Sequence, residues 1–356
     1  MPKFHTLKVS DIVRETADTV SLAFDIPSSL KQQYQYKQGQ YLTLKFIING
    51  EELRRSYSIC SSPVEEHELR VAIKKVKDGK ISTFINDTIK IGDSIEVMIP
   101  MGNFYTEMNA AHKINYVLFA GGSGITPILS ILKTVLVSEP LSSITLFYGN
   151  NDEASIIFKK HLDKLASTYS DRLKVYHILN NAPLVYPELL KGMLSEEKCV
   201  ELLKSFVTIS MDHEFFICGP TPMMDNAVAA LIELHAPESK IHVEYFSAPK
   251  VNEPVPAITE NSTGAKALII KDGDEYNVDL LPNETILQAA LRIGMDAPYA
   301  CQGGSCCTCR ALLEEGEVKM TVNYALSAAE VEKGYILTCQ SRATTPNVVV
   351  NYDRGM

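Results

Sequence analysis

Four cysteines packed into nine residues, with a fifth about thirty residues on, constrain this chain more than any other feature. The string Cys301-Gln-Gly-Gly-Ser-Cys306-Cys307-Thr-Cys309 reads C-x4-C-x2-C, and Cys339 follows downstream. That is the spacing of plant-type [2Fe–2S] sites, where four thiolates, here Cys301, Cys306, Cys309 and Cys339, reach two irons from one tight loop and one distant anchor. Gly303 and Gly304 permit positive φ and let backbone N–H groups approach bridging sulfides, where such bonds tune potential. A structural zinc site would pair two short C-x2-C units, and only Cys306/Cys309 makes one. No His lies in the loop. Cys307 could replace Cys306 as a ligand; the spacing favours Cys306 and leaves Cys307 as a thiol beside the cluster, open to oxidation. A disulfide scaffold would spread its cysteines through a small secreted chain, whereas five of these eight fall in the last fifth.

At 356 residues the chain exceeds one ordinary core, so two or three domains are expected. Net charge is −9 with both signs interspersed, and the basic stripe that nucleic-acid binding requires is missing. No apolar run reaches the roughly 18 residues of a membrane span. The opening Met-Pro-Lys-Phe-His-Thr has no apolar signal segment. A cytoplasmic enzyme bound to neither membrane nor nucleic acid is the expectation.

The first part of the chain reads as β-rich. Short alternating runs, among them Thr19–Ile26, Tyr41–Ile47 and Leu69–Lys75, are separated by turn signals with little helix, which predicts an antiparallel β-barrel over 1–108. Near Asn115 the pattern changes. Tyr116–Ala120 is a continuous apolar strand, followed by Gly121–Gly124 and the periodic run Ile128–Val137, with Thr126 at N-cap and Pro127 at N1. Ile144–Tyr148, a helix-like Ser155–Thr168, Leu173–Leu179, Phe215–Cys218 and Ile241–Tyr245 continue the alternation. They predict an α/β domain with a parallel sheet over 112–247. Pro249, Pro254 and Pro256 among Asn, Ser, Thr and Glu mark a linker over 248–264. Beyond it, Ala267–Lys271 and Glu275–Leu280 flank Asp272-Gly273 as a hairpin. A helix ends near Gly294, and strands around Arg310–Leu313 and Val348–Asn351 follow the cysteine loop, giving a small α+β domain over 265–356.

Arg55-Ser56-Tyr57-Ser58 falls on a barrel strand. Arg fits a pyrophosphate bidentately. Tyr57 shares its strand face and can stack on an isoalloxazine, and Ser58 offers a hydroxyl to a flavin N5 edge. An amphipathic edge strand would read the same way. Gly79-Lys80-Ile81-Ser82 is a Gly-containing turn with a hydroxyl, suited to phosphate or simply to a hairpin. Gly121-Gly122-Ser123-Gly124-Ile125-Thr126-Pro127 follows a buried strand and opens a helix, the setting a nucleotide phosphate needs, although Pro127 takes the last place of G-x-G-x-x-G. Cys218-Gly219-Pro220 ends a later strand with a thiol able to touch a nicotinamide, or with a buried Cys before a turn.

In this order the motifs resemble the ferredoxin–NADP reductase superfamily with a C-terminal plant-type ferredoxin domain, over the whole chain. Tyr148-Gly149-Asn150, Asn323-Tyr324 and Leu337-Thr338-Cys339-Gln340 add to the likeness. Within the superfamily the chain looks like the reductase components of bacterial phenylacetyl-CoA epoxidases, which are multicomponent systems. The resemblance implies a β-grasp fold for the last domain and FAD in the barrel, held by Arg55, Tyr57 and Ser58 with Ile81 and Ser82 near its pyrophosphate. It implies NAD(P)H on the middle domain about Gly122, Gly124, Thr126, Cys218 and Gly219, with Thr126 and Cys218 bordering the nicotinamide. Glu244 and Phe246 match a family Glu-x-Phe beside the flavin. Ser58 and Cys218 would position and polarise, and Glu244 would help protonate the flavin. The implied function is electron transfer from NAD(P)H through FAD and a [2Fe–2S] cluster to the oxygenase component of a multicomponent monooxygenase, phenylacetyl-CoA epoxidase foremost. The reductase of another diiron or Rieske oxygenase is the alternative, and a non-catalytic iron–sulfur redox sensor the alternative of another class. Relatives usually carry Arg after the Tyr-Gly-Asn segment and after a later Gly; Asn151-Asp152 and Gly192-Met193 stand there instead. A weaker NADPH preference follows, with Lys191 as a partial substitute.

Overall fold

The computed structural model describes residues 3–66, 68–246 and 264–355. The expected linker over 248–264, Gly264 apart, lies outside the described residues, as do Ser247 and Met356. The fold divides into two compact units. One holds His5–Leu53 and Tyr57–Glu244; the other holds Tyr245 onward with short segments that include Arg54–Ser56.

The larger unit begins with a six-stranded antiparallel sheet: β1 (Phe4–Thr16), β2 (Thr19–Asp25), β3 (Tyr41–Ile48), β4 (Glu51–Ser58), β5 (Leu69–Lys74) and β6 (Ser94–Met98), in the order β4-β3-β6-β1-β2-β5. Ile59, just past β4, bridges Val71 of β5, so the two end strands meet and the sheet closes as a barrel. Leu7, Leu22, Leu42, Leu44, Val71 and Val97 fill it without exposure. Helix α1 (Lys80–Thr88) places Ile81 and Ile85 in the same core. This corrects the turn reading of Gly79–Ser82. The segment is rich in β-branched residues and Asn/Asp, which are weak helix formers, and burial of its apolar face overrides that propensity.

The second sheet is parallel throughout, in the order β11-β10-β7-β8-β9. Its strands are β7 (Asn115–Gly121), β8 (Ser143–Asn150), β9 (Leu173–Leu179), β10 (His213–Cys218) and β11 (Ile241–Glu244). The crossovers are α2 (Ile125–Ser138), α3 (Lys159–Thr168), α4 (Glu196–Phe206) and α5 (Thr221–Glu233). Its strands are near-continuous apolar runs because helices cover a parallel sheet on both faces. Helix α2 starts two residues earlier than expected. Gly124 is its cap, and Thr126 stands inside the first turn with its hydroxyl donating to the Ser123 carbonyl at 3.0 Å. Pro127 is tolerated because first-turn N–H groups have no intrahelical acceptor. Helix α3 starts later than Ser155, because buried Ile156 and Ile157 run across the core and Phe158 turns the chain at φ +62°. Cys60, Ala72 and Phe104 share one core with α2 and this sheet. Ser130 of α2 also donates to the Ser61 carbonyl at 2.6 Å. Barrel and parallel sheet are therefore one body.

The smaller unit holds a five-stranded mixed sheet, order β13-β12-β18-β14-β16. It is built from β12 (Lys266–Lys271), β13 (Asp274–Asp279), β14 (Arg310–Glu315), β16 (Tyr335–Leu337) and β18 (Asn347–Asn351). β15 (Val318–Met320) pairs with β17 (Ser341–Ala343) beside it. Helix α6 (Ile286–Arg292) starts with a reciprocal Thr285/Gln288 cap and lays Ile286, Leu287, Ala289 and Ala290 on the core. Helix α7 (Ala328–Glu332) precedes β16. The cysteine loop runs between α6 and β14, and Cys339 follows β16.

Candidate functional site

Three clusters of the expected residues have distinct geometries. On β4, Arg54 and Ser58 are buried and Arg55 is exposed, the period of two of a strand, with Tyr57 half-buried. Ser58 donates to Glu244 Oε2 at 3.2 Å. Glu244 lies opposite Cys218 in the sheet, and Cys218 lies opposite Ala120. Burial pushes the Glu244 carboxyl up to about 8, against a partial restraint from the Ser58 hydroxyl. The fully buried Cys218 thiol is raised by burial first and by the Glu244 charge second. A hydroxyl, a thiol and a largely protonated carboxyl from β4, β10 and β11 thus form a neutral donor group at the C-terminal edge of the parallel sheet. That chemistry fits the polar edge of a ring that gains and loses protons. Phe246 follows and is exposed. Gly79 caps α1 without a side-chain hydrogen bond. A Cβ there would meet Ser82 Oγ and a Val76 methyl at 2.4 Å, so a side chain at this turn would force both to shift. Ser82 Oγ accepts from the Val76 N–H at 3.2 Å, and Ile81 is buried. An open helix N-terminus of this kind fits a phosphate.

The second cluster sits where the strand order reverses, between β7 and β10, the crevice in which doubly wound sheets bind nucleotides. Gly122 has φ +50°. A Cβ on Gly124 would stand 2.1 Å from the Cys218 carbonyl, and one on Gly219 would stand 2.9 Å from the Gly121 nitrogen. The two loops touch backbone to backbone, which only glycine allows. Tyr148, buried, donates to the Gly122 carbonyl at 3.0 Å and props the loop; the sequence marked it only as part of the Tyr148-Gly149-Asn150 likeness, with no role. The Asn150 amide is buried nearby on β8, beside the Tyr148 hydroxyl.

Past β8, Asp152 caps the following turn by accepting from the Ser155 N–H at 2.9 Å. Across from it, Gly192 N–H donates to the Leu179 carbonyl at the end of β9. Lys191 is 2.9 Å from Glu188 and donates to the Leu184 carbonyl. The cation expected to substitute for the missing Arg residues is already paired.

The third cluster is the cysteine loop. Cys306 donates to Cys301 Sγ at 3.2 Å, and Cys309 and Cys339 form a second interacting pair. The Cys301 thiol is pulled down to about 6, first by Cys306 and then by the backbone N–H groups of Gly303, Ser305 and Cys306. Among the described residues, no three His, Cys, Asp or Glu side chains converge where a single ion could sit. A donor set of two and two suits two metal atoms bridged by sulfide rather than one tetrahedral zinc. Ser305 Oγ is buried without a partner. Gly303 N–H points at Cys301 Sγ at 3.3 Å, and Gln340 Nε2 at Cys339 Sγ at 3.5 Å. These donors fit a group rich in sulfur. Cys307 is as buried as Cys306. An open groove of about 980 Å³, lined by Phe24, Tyr34, Tyr36 and Leu69 among others, includes no residue of the three clusters.

Family models for an oxidoreductase FAD-binding domain, an oxidoreductase NAD-binding domain and a 2Fe-2S iron-sulfur cluster binding domain match residues 6–105, 118–229 and 269–344. The chain is 40% identical over 358 residues to a component of the 1,2-phenylacetyl-CoA epoxidase of Escherichia coli (strain K12), covering 100% of each. It is 35% identical to the 3-ketosteroid-9-alpha-monooxygenase, ferredoxin reductase component, of Mycobacterium tuberculosis (strain ATCC 25618 / H37Rv), covering 98% of this chain and 95% of that protein. Among solved structures it resembles phthalate dioxygenase reductase, a modular structure for electron transfer from pyridine nucleotides to [2Fe–2S]. That likeness covers 98% of each chain with a TM-score of 0.59 at 23% identity, and bears on the fold.

Proposed function

Because the chain belongs to the family of oxygenase reductase components that join FAD-binding, NAD-binding and [2Fe–2S] domains, we propose that its electron acceptor is the oxygenase component of phenylacetyl-CoA epoxidase. It is an NAD(P)H-dependent flavin iron–sulfur oxidoreductase that serves a multicomponent oxygenase. When bound, FAD accepts two electrons from the reduced nicotinamide and passes them on singly through the cluster.

The chain's own residues supply position and protons. Arg55 and Tyr57 hold the flavin's pyrophosphate and ring, and the α1 turn at Gly79–Ser82 receives its phosphates. The glycines at 121, 122, 124 and 219, with Thr126, bring the nucleotide's backbone-facing side against the sheet. Ser58 and Cys218 orient the reacting edge. Glu244, protonated at neutral pH, holds a proton where the flavin needs one. Cys301, Cys306, Cys309 and Cys339 hold the cluster. The observation that carries the proposed partner is the 40% identity over the whole length to a phenylacetyl-CoA epoxidase component; the Ser58–Glu244 hydrogen bond, 3.2 Å long, with Cys218 abreast of Glu244, supports the roles given to these three side chains. Function in the cytoplasm is in keeping with eight cysteines in no disulfide. Among the described residues no helix is long and apolar enough to cross a membrane.

The 3-ketosteroid relative supports a second reading, a different oxygenase partner. Anaerobic titration with NADH and NADPH, following flavin and cluster bands separately, tests the electron path. Adding a phenylacetyl-CoA epoxidase oxygenase then separates the partners. Turnover that requires the coenzyme-A thioester supports the first reading, and none with that oxygenase but turnover with another supports the second.

A further inference from the structure

We infer that Tyr352 tunes the [2Fe–2S] group as a positioning residue, acting through Thr338 on the Cys309–Cys339 pair; this rests on the assignment of those thiols as ligands. Tyr352 stands one residue past β18 and is 2% exposed, its N–H tied to the Ile270 carbonyl. Its hydroxyl reaches Thr338 Oγ1 at 2.8 Å in the buried interior. Thr338 is wholly buried. Its hydroxyl donates to the Cys309 carbonyl at 3.0 Å, and its N–H donates to the same oxygen at 3.2 Å.

The direction of this chain is forced. A carbonyl only accepts, so the Thr338 proton is committed to Cys309, and Tyr352 must donate to Thr338. Two O–H dipoles therefore run head to tail with their positive ends toward Cys309, and such chains polarise one another. Thr338 also precedes Cys339 in sequence, so this single residue joins the backbone of one ligand to that of the other. The phenol lies within electrostatic reach of both sulfurs. Packing alone does not account for the arrangement, since phenylalanine would fill the same volume. Reduction adds negative charge to the cluster, and positive dipole ends directed at the backbone of one of its ligands favour the reduced form.

The test uses the full-length, flavin- and cluster-loaded protein and its Y352F, T338S, T338V and Y352F/T338V variants. Iron and sulfide content reports loading, and an EPR-monitored redox titration reports the cluster potential. Y352F should lower the reduced-to-oxidised ratio at fixed potential about threefold, a shift of about 30 mV at 59 mV per tenfold for one electron. T338V should shift at least as far, T338S should stay at the wild-type value, and Y352F should add nothing in the T338V background. A Y352F potential equal to wild type, or an equal Y352F shift with and without the Thr338 hydroxyl, overturns the inference. Should Y352F load no cluster, T338V and T338S decide: equal potentials overturn it, and a lower T338V supports it. Wild-type protein without a [2Fe–2S] signal would instead remove the ligand assignment on which the inference rests.

Discussion

The Glu244 carboxyl stays neutral in a pH range where most carboxylates are charged. Its folded value of about 8 lies above the ordinary 4.5, so the native state binds more protons than the unfolded chain between the two. Stability from this group is therefore full below about pH 4.5 and declines as pH rises to about 8. In flavin-free protein, thermal denaturation from about pH 5 to about pH 9 should show wild type losing ground to E244Q as pH rises; parallel curves would mean the carboxyl titrates normally. For the loop, C306A should abolish the cluster's visible absorption and C307A should retain it, and the reverse result would exchange their roles. Sequence motifs named Ser58, Cys218 and Glu244 but not their proximity. Strand register and a barrel packed on the parallel sheet bring together residues 58 and 244, which are 186 positions apart. The sequence named Ser305 and Thr338 only as members of longer strings and gave neither a role, because the part played by a buried hydroxyl is defined by its surroundings.

Secondary elements were readable where hydrophobic burial was one-sided or complete. The five parallel strands stood out as apolar runs. Helix α1 did not, because its segment has low intrinsic helicity and only tertiary packing forms it. The start of α2 was misplaced because Thr126-Pro127 imitates a cap, while the loop is fixed by glycine contact with β10. That contact gives a sharp prediction. G124A would drive a Cβ into backbone at 2.1 Å, so it should destabilise the larger unit by about 1–3 kcal/mol, the usual range for overpacking, and abolish nucleotide-dependent flavin reduction. Denaturant unfolding and stopped-flow absorbance measure both. Past the ends of β8 and β9, where the resemblance expects the missing Arg residues, Lys191 is held by Glu188 and Asp152 is acidic. A charge-assisted hydrogen bond is worth about 1.5–3 kcal/mol, so kcat/KM for NADH should exceed that for NADPH by about tenfold or more. Equal values would show another cation at work.

At the scale of the molecule, the barrel and the parallel sheet pack as one compact unit, and the sheet that carries the cysteine loop belongs to another. The sequence could not show this, because the residues that fuse barrel to parallel sheet, such as Cys60, Ala72 and Phe104, look like ordinary interior positions of either. Calorimetry of the full chain should therefore give two unfolding transitions, not three, and removing iron with a chelator should lower only one of them. In the smaller unit, β18 lies between β12 and β14 and pairs with both. The ribosome reaches it only about forty residues after Cys309. At roughly 5–20 residues per second, the loop thiols spend seconds in a nascent chain whose central strand has not yet been made. Biogenesis of the electron exit is thus ordered by the fold: the sheet closes first, and iron has a shaped place to go only afterwards.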